Sequence, residues 1–218
     1  IYGLNPDTEY EIWFEGSCGK SSIRRFRTGV VPGKVVTYLH PHDEQYAFSG
    51  QYICSPSIVR LPSGALLASN DYYKSHSPQN LTTIFRSDDD GESWYYVTDL
   101  FPCFWGKLFC HRGSLYMLGM QNEYGDLLIG RSDDEGSSWT APTVIMRGSC
   151  SCFENGLHKA PMQIVETNGR LWTAVEYGSW PKKHFASSMF SIDSDADLLN
   201  ASNWCCTGFL HHDPKWEN

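Results

Sequence analysis

The sequence predicts an all-β fold built from β-propeller blades, and two internal repeats predict it. The first is an eight-residue pattern, Ser-x-Asp-x-Gly-x-Ser-Trp, which occurs at 87–94 and again at 132–139. The second is a strand, a glycine turn and a strand, with its glycines at Gly64, Gly113 and Gly169. A repeat of about 40–50 residues in a β-type sequence is typical of a propeller, in which each blade is a four-stranded sheet.

Each eight-residue pattern is expected to be a turn between two strands. Ser and Asp side chains can accept hydrogen bonds from nearby backbone N–H groups, a glycine permits a positive φ, and a Trp ring can anchor the turn against its blade. The structural residues are therefore Ser87, Asp89, Gly91 and Trp94 in the first copy and Ser132, Asp134, Gly136 and Trp139 in the second. A calcium site is disfavoured, because the acidic run lacks the twelve-residue ligand spacing of an EF-hand loop.

The glycine hairpins occur three times, at 57–68, 107–118 and 162–174. The third unit should carry a turn pattern near 191–193, but no glycine follows and the stretch 195–202 intervenes before Trp204. We therefore expect a longer loop in place of that turn. Counting from residue 34, about four blades fit at this period.

The first 29 residues differ from the rest. The run Leu4-Asn5-Pro6-Asp7-Thr8-Glu9-Tyr10 resembles the tyrosine corner of fibronectin type III modules, in which the Tyr hydroxyl bonds back to nearby backbone. Two strands alone are marginal in water. We expect 1–29 to be the C-terminal strands of such a module, 30–44 a linker and 45–218 a partial propeller, all within a longer modular protein.

Composition excludes several classes of partner. The chain has 218 residues, with 17 Lys and Arg against 25 Asp and Glu, for a net charge of −8. No basic patch stands out, so nucleic acid is not expected as a partner. No apolar run approaches the length of a membrane span. The eight cysteines contain no C-x-x-C pair, and the polar run His40–Glu44 has no further spaced ligand, so neither a metal nor another cofactor is expected.

We call the two eight-residue patterns at 87–94 and 132–139 boxes. A propeller with such boxes, beside a fibronectin type III tail, resembles the bacterial sialidases and their superfamily, and the resemblance covers roughly residues 45–205. The resemblance extends to residues 168–172, followed by Tyr177, which are similar to the Gly-Arg-Leu strand of that superfamily. It implies a six-bladed sialidase-like propeller, a secreted or cell-surface protein and an exo-acting glycoside hydrolase. It also implies that a glycan binds on the face opposite the boxes.

One departure from the sialidase pattern concerns the substrate. Sialidases open their first blade with Arg-Ile-Pro, and that Arg helps to grip the sialic acid carboxylate. Aligning Pro-Ser-Ile-Val of this chain puts Cys54 at the position of the Arg, and the stretch 70–74 holds no second Arg. Because a thiol cannot replace a guanidinium, we expect a sugar other than sialic acid.

Candidate chemistry comes from two acids at matching places. Asp71 and Glu176 each lie five residues past a hairpin leucine, and each is followed by Tyr. Two carboxylates at the mouth of a propeller funnel suit glycoside hydrolysis, although each could instead only cap a strand end. The candidate catalytic residues are Asp71, Glu176, Tyr177 and His158, and the candidate substrate-binding residues are Tyr72, Tyr73 and Arg170.

Two other functions fit the same residues. A glycan-binding propeller without catalysis is compatible with the missing arginine. A propeller polysaccharide lyase could use His158 as base and Tyr177 or Tyr72 as acid.

Overall fold

The computed structural model describes residues 4–39 and 49–216, which form β-strands, turns and two short 3₁₀ segments at Ala201–Asn203 and Pro214–Trp216. The N-terminal strands are β1 (Glu9–Ile12), β2 (Glu15–Gly16), β3 (Gly19–Lys20) and β4 (Arg24–Arg27). The remaining strands are β5 (Tyr52–Arg60), β6 (Leu66–Tyr73), β7 (Thr82–Ser87), β8 (Tyr95–Leu100), β9 (Phe104–His111), β10 (Ser114–Met120), β11 (Leu127–Ser132), β12 (Thr143–Met146), β13 (Gly156–His158), β14 (Val165–Thr167), β15 (Arg170–Ser179), β16 (His184–Asp193), β17 (Cys205–Cys206) and β18 (Leu210–His211). The run His40–Glu44 lies outside the described residues. No helix within the described ranges has the length and apolar character needed to cross a bilayer.

Three antiparallel sheets follow one another along the chain, and each has the order of a propeller blade. The first is β5-β6-β7-β8 and the second is β9-β10-β11-β12. In the third, β13 and β14 both pair with β15, which pairs with β16, and β17 and β18 both pair with β16. The first strands of neighbouring sheets touch, since the Leu108 backbone N donates to the Ser57 hydroxyl over 3.0 Å. The all-β, partial-propeller prediction is confirmed.

The described residues hold three blade-like sheets, one fewer than the repeat period predicted. The third sheet extends from Gly156 to His211, so it uses more chain than either of the first two. In addition, no strand forms in the described residues between 30 and 51. The greater length of the third sheet therefore accounts for part of the difference.

The hydrophobic core lies between the sheets. One cluster joins the first two sheets and includes the fully buried Leu67, Ile84 and Leu108. A second cluster joins the second and third sheets and includes Leu118 and Ile192. The second strands of the first two sheets, β6 and β10, are buried along nearly their whole length, whereas burial along most of β15 alternates between neighbouring residues.

Both eight-residue patterns form the same hydrogen-bonded turn. In the first, the Ser87 hydroxyl donates to Asp89 over 2.8 Å, Asp89 accepts the Ser93 N–H over 2.9 Å, and the Trp94 indole donates to the Gly91 carbonyl over 3.1 Å. The second turn repeats these three bonds at 2.8, 2.8 and 3.0 Å through Ser132, Asp134, Ser138, Trp139 and Gly136. Gly91 and Gly136 have φ of +90° and +93°. The two copies thus share three hydrogen bonds and a positive-φ glycine at equivalent positions.

The third unit closes with the longer loop that the sequence predicts. Residues 194–204 separate β16 from β17 and contain a 3₁₀ turn. Trp204 still donates its indole N–H to a carbonyl within the loop, that of Leu198, over 3.0 Å. The loop thus keeps one feature of the box turns without their Ser-Asp network.

The N-terminal residues form two small hairpins, β1 with β4 and β2 with β3. The Asn5 backbone N donates to the Tyr10 hydroxyl over 2.8 Å, which is the contact expected of a tyrosine corner. Tyr10 also stacks on Phe26, with ring centroids 5.9 Å apart. Assignment of this segment to a fibronectin type III module stays a prediction.

Candidate functional site

An open cleft of about 710 Å³ lies at the ends of the sheets opposite the box turns. The loops that follow the second strand of each sheet form it, together with the connection from β12 to β13. Its lining comprises Tyr73, Ser75, His76, Ser77, Pro78, Gln79, Trp105, Asn122, Glu123, Tyr124, Cys150, Cys152, His158, Trp180 and Pro181. All three sheets contribute, so the cleft exists only once the blades are packed together.

Four aromatic side chains form much of the cleft wall: Tyr73, Trp105, Tyr124 and Trp180. Tyr73 and Trp180 are exposed at the rim, at 41% and 61% of their surface. Aromatic faces of this kind suit a ligand that has both apolar C–H surfaces and hydroxyl groups.

His158 lies at the centre of this wall, at the end of β13. Its ring centroid is 4.2 Å from that of Trp105, 5.1 Å from Phe185 and 5.8 Å from Trp180. The Trp180 indole N–H donates to His158 Nε2 over 3.2 Å, so Nε2 is the acceptor and the proton of the neutral ring lies on Nδ1. Burial lowers the pKa of His158 to about 4, and the ring is neutral at neutral pH.

Two carboxylates flank the His158 ring, one near each nitrogen. Glu176 Oε2 lies 3.4 Å from Nδ1, and Glu123 Oε1 lies 3.9 Å from Nε2. Partial burial raises the pKa of Glu123, which favours its protonated form. The Glu176 side chain is 51% exposed and is free to meet water. The two acids thus occupy different environments on either side of one imidazole.

Two amide side chains of the cleft hold oxygens that lack a hydrogen-bond partner among the described residues. They are Gln79 Oε1 and Asn122 Oδ1, and Gln79 is only 5% exposed. A buried acceptor without a partner is costly, and a hydroxyl-bearing ligand would satisfy it.

Asp71 does not lie at the mouth of the cleft, where the sequence led us to expect it. It lies on β6, the second strand of its sheet, and has no exposed surface. Its carboxylate accepts the Thr82 hydroxyl over 2.5 Å and the Trp105 N–H over 2.7 Å. Glu176 has the equivalent place on β15 but is exposed, because β9 covers Asp71 while no described element covers Glu176.

Cys54 faces Asp71 across the β5–β6 pair. Burial raises the pKa of this thiol to about 11, so it is a neutral group at the position where a sialidase has a cation. Tyr72, the neighbour of Asp71, is also buried, at 2% exposure. Of the predicted sugar-binding tyrosines, only Tyr73 reaches the cleft.

Two further predicted residues lie away from the cleft. Tyr177 packs against Phe209, with ring centroids 5.1 Å apart, and against the core between the second and third sheets. Arg170 begins β15, whereas Ser179 at the cleft ends it, a separation of about 30 Å along the strand. Arg170 instead donates to the Ser191 hydroxyl at the end that carries the hairpin turns.

Sequence reasoning missed Glu123, Trp105, Trp180 and Gln79. Only their position along the chain could have indicated them, since all but Trp105 lie in the loops that follow the second strands of the sheets. These loops share no residue pattern, so only the fold shows that they converge. No cluster of three metal-ligating side chains occurs in the part of the chain that the structure describes.

No protein-family model and no curated protein matches the sequence. Solved structures do match in fold. An α-L-arabinanase from Penicillium chrysogenum, complexed with arabinobiose, gives a TM-score of 0.54 at 16% identity over 82% of this chain and 53% of its own. A Hadza microbial sialidase gives 0.54 at 15% identity, over 86% of this chain and 41% of its own.

A polysaccharide lyase, ulvan lyase, matches with a TM-score of 0.52 at 11% identity over 92% of this chain and 52% of its own. The chain therefore spans about half the length of these structures. They include both hydrolases and a lyase on a similar arrangement of sheets, so the likeness shows the fold alone, and the reaction must be argued from the site.

Proposed function

We propose that this chain forms part of the substrate site of a secreted or cell-surface carbohydrate-active enzyme. The proposed activity is exo-acting glycoside hydrolysis of a sugar other than sialic acid. The observation that carries it is His158, held in an aromatic cleft between Glu123 and Glu176. The fold that the chain shares with glycan-acting propellers supports the same proposal.

The two acids suit opposite roles. Glu123, whose pKa is raised by burial, would donate a proton to the glycosidic oxygen as the bond to the anomeric carbon breaks. Glu176 would take a proton from a water molecule whose oxygen then bonds to that carbon. Each carboxylate is within 4 Å of one nitrogen of the same ring, which keeps their nearest oxygens within about 10 Å of each other, a bound that includes the carboxylate separations of both inverting and retaining enzymes.

The lining charges support a sugar other than sialic acid. Among the described residues of the cleft there is neither lysine nor arginine, and Cys54 is a half-buried neutral thiol. A sugar carboxylate would find no guanidinium in this part of the site, whereas the unpartnered oxygens of Gln79 and Asn122 suit sugar hydroxyls.

A lyase is the second candidate, and one contact favours it. The Tyr124 ring lies 5.9 Å from the His158 ring, and its hydroxyl accepts the Trp180 backbone N–H over 3.2 Å and also hydrogen-bonds with Glu123. A tyrosine next to a neutral histidine supplies the acid and base of β-elimination.

The test is the full-length protein on a panel of glycans, read for reducing ends and for the ultraviolet absorbance of an unsaturated sugar. Hydrolysis produces reducing ends without that absorbance, and Glu123→Gln and Glu176→Gln should each lower turnover at least a hundredfold. Glu166→Gln, at the opposite end of the third sheet, is the matched control and should keep wild-type activity. Absorbing product would favour the lyase. Binding without either product would overturn the enzymatic proposal.

A further inference from the structure

The buried carboxylate of Asp71 connects the first sheet to the second. Its Oδ1 atom accepts the Thr82 hydroxyl from β7 of its own sheet, and its Oδ2 atom accepts the Trp105 backbone N–H from β9 of the next. An acid with no exposed surface cannot touch a ligand in the cleft. Both of its oxygens are instead committed to neighbouring protein groups.

The backbone at Trp105 requires such support. Trp105 has φ of +52°, which is unusual for a non-glycine residue and costs free energy. The pairing of β9 with β10 shifts register at this point, so the strand bulges. A carboxylate that accepts the N–H of the bulged residue stabilises the distorted backbone and fixes the direction of its side chain.

The Trp105 side chain carries this effect to the third sheet. Its ring lies 4.2 Å from His158, the shortest of the ring distances around that imidazole, and both rings line the cleft. Lys159, which follows His158, is buried at 1% exposure; burial lowers the pKa of its ammonium group to about 7, and the group interacts electrostatically with Asp71. The surroundings of Asp71 thus include residues of all three sheets.

We propose that Asp71 is a positioning residue: by holding the strained backbone of Trp105, it keeps that indole against His158 and so shapes the cleft. The effect of Asp71 on glycan turnover rests on the proposed function above, but the contact of Asp71 with Trp105 does not. Asp71 therefore acts through Trp105 and is not itself a catalytic residue.

The first test follows the His158 ring by NMR in the complete protein, with no glycan present. The neighbours of His158 bury its ring and hold its pKa at about 4. The titratable side chains near the ring are Glu123, Glu176 and Lys159. Asp71→Ala removes the acceptor of the Trp105 N–H, so it should let Trp105 move away and raise that pKa by at least one unit, and Trp105→Gly should do the same. In the Trp105→Gly background, adding Asp71→Ala should have no further effect, because residues that act through one contact are not additive.

Thr82→Val is the matched control, because it removes the other hydrogen bond of the same carboxylate and leaves Trp105 in place. It should not move the His158 titration. An unchanged titration in folded Asp71→Ala would overturn the proposal. So would additive shifts in the double variant.

A second measurement needs no variant and so covers the case in which Asp71→Ala does not fold. The Trp105 amide should exchange its hydrogen as slowly as core amides of β9, since a buried carboxylate accepts it. Fast exchange at that amide would contradict the role of Asp71. These results are independent of any glycan, so they would stand even if the hydrolase proposal failed.

Discussion

His158 and Glu176 lie directly opposite each other on β13 and β15, with Nδ1 and Oε2 3.4 Å apart. Cys54 and Asp71 form the equivalent pair in the first sheet. The two sheets thus place different chemistry at one position of the repeat, a neutral thiol beside a buried acid in one and an imidazole beside an exposed acid in the other.

The contacts of His158 predict its tautomer. Because the Trp180 indole donates to Nε2, nitrogen NMR should find the proton on Nδ1 at neutral pH. Trp180→Phe removes a donor that competes with protonation of Nε2, so the pKa of His158 should rise above about 4. Trp172→Phe, on the same sheet but outside the cleft, serves as control. A wild-type ring with its proton on Nε2 would contradict this assignment.

His158 should also make the folded state less stable in acid. Burial lowers its pKa from 6.5 to about 4, so between these values the unfolded chain binds a proton that the folded chain does not. The contribution of the neutral, buried imidazole to the free energy of unfolding is complete above about pH 6.5. It is lost as pH falls towards 4, by at most roughly 1.4 kcal/mol per pH unit.

Urea titrations of wild type and His158→Phe between pH 4 and 7 check this stability effect. The variant should have a shallower dependence of unfolding free energy on pH than the wild type. His212→Phe controls for the loss of one histidine elsewhere. Parallel profiles for wild type and His158→Phe would argue against a buried neutral imidazole.

The box aspartates should matter for stability and not for the cleft. Hydrogen bonds from the Ser93 hydroxyl and N–H hold the pKa of Asp89 at about 2, so the turn binds the ionised form. Asp89→Asn should lower the melting temperature by roughly 2–4 °C or more. Asp90→Asn is the control, because it removes the same charge one residue away. Asp90 makes an exposed ion pair with Arg60, so its loss should change the melting temperature little. Equal shifts for the two variants would refute the specific role of Asp89.

The two box glycines should differ in their tolerance of alanine. Both have positive φ, so Gly91→Ala and Gly136→Ala share a backbone cost of about 1 kcal/mol. At Gly91 the nearest atom to an added Cβ is 3.7 Å away, whereas at Gly136 it is the Cδ1 atom of fully buried Leu67, at 2.9 Å. Gly136→Ala should therefore be the more destabilising of the two in chemical denaturation, and the reverse order would be evidence against this packing.

Local regularities explain what could be predicted from the sequence. The turn chemistry of Ser87, Asp89 and Gly91 is set within a few residues, and the structure has the expected bonds. The hairpin glycines Gly64 and Gly113 likewise have positive φ. Strand identity and sheet order follow from such local patterns and their period, which is why the partial propeller could be inferred without a family match.

The cleft required the tertiary structure. The sequence by itself determined the repeat, the turns and the presence of acids at matching places on β6 and β15. Only the packing of the sheets decided that β9 covers Asp71 while Glu176 stays exposed, and that Glu123 approaches His158 from another blade. The physical reason is that burial and proximity between blades depend on contacts across long sequence separations, whereas a repeat pattern records only the neighbours that each residue has within its own sheet.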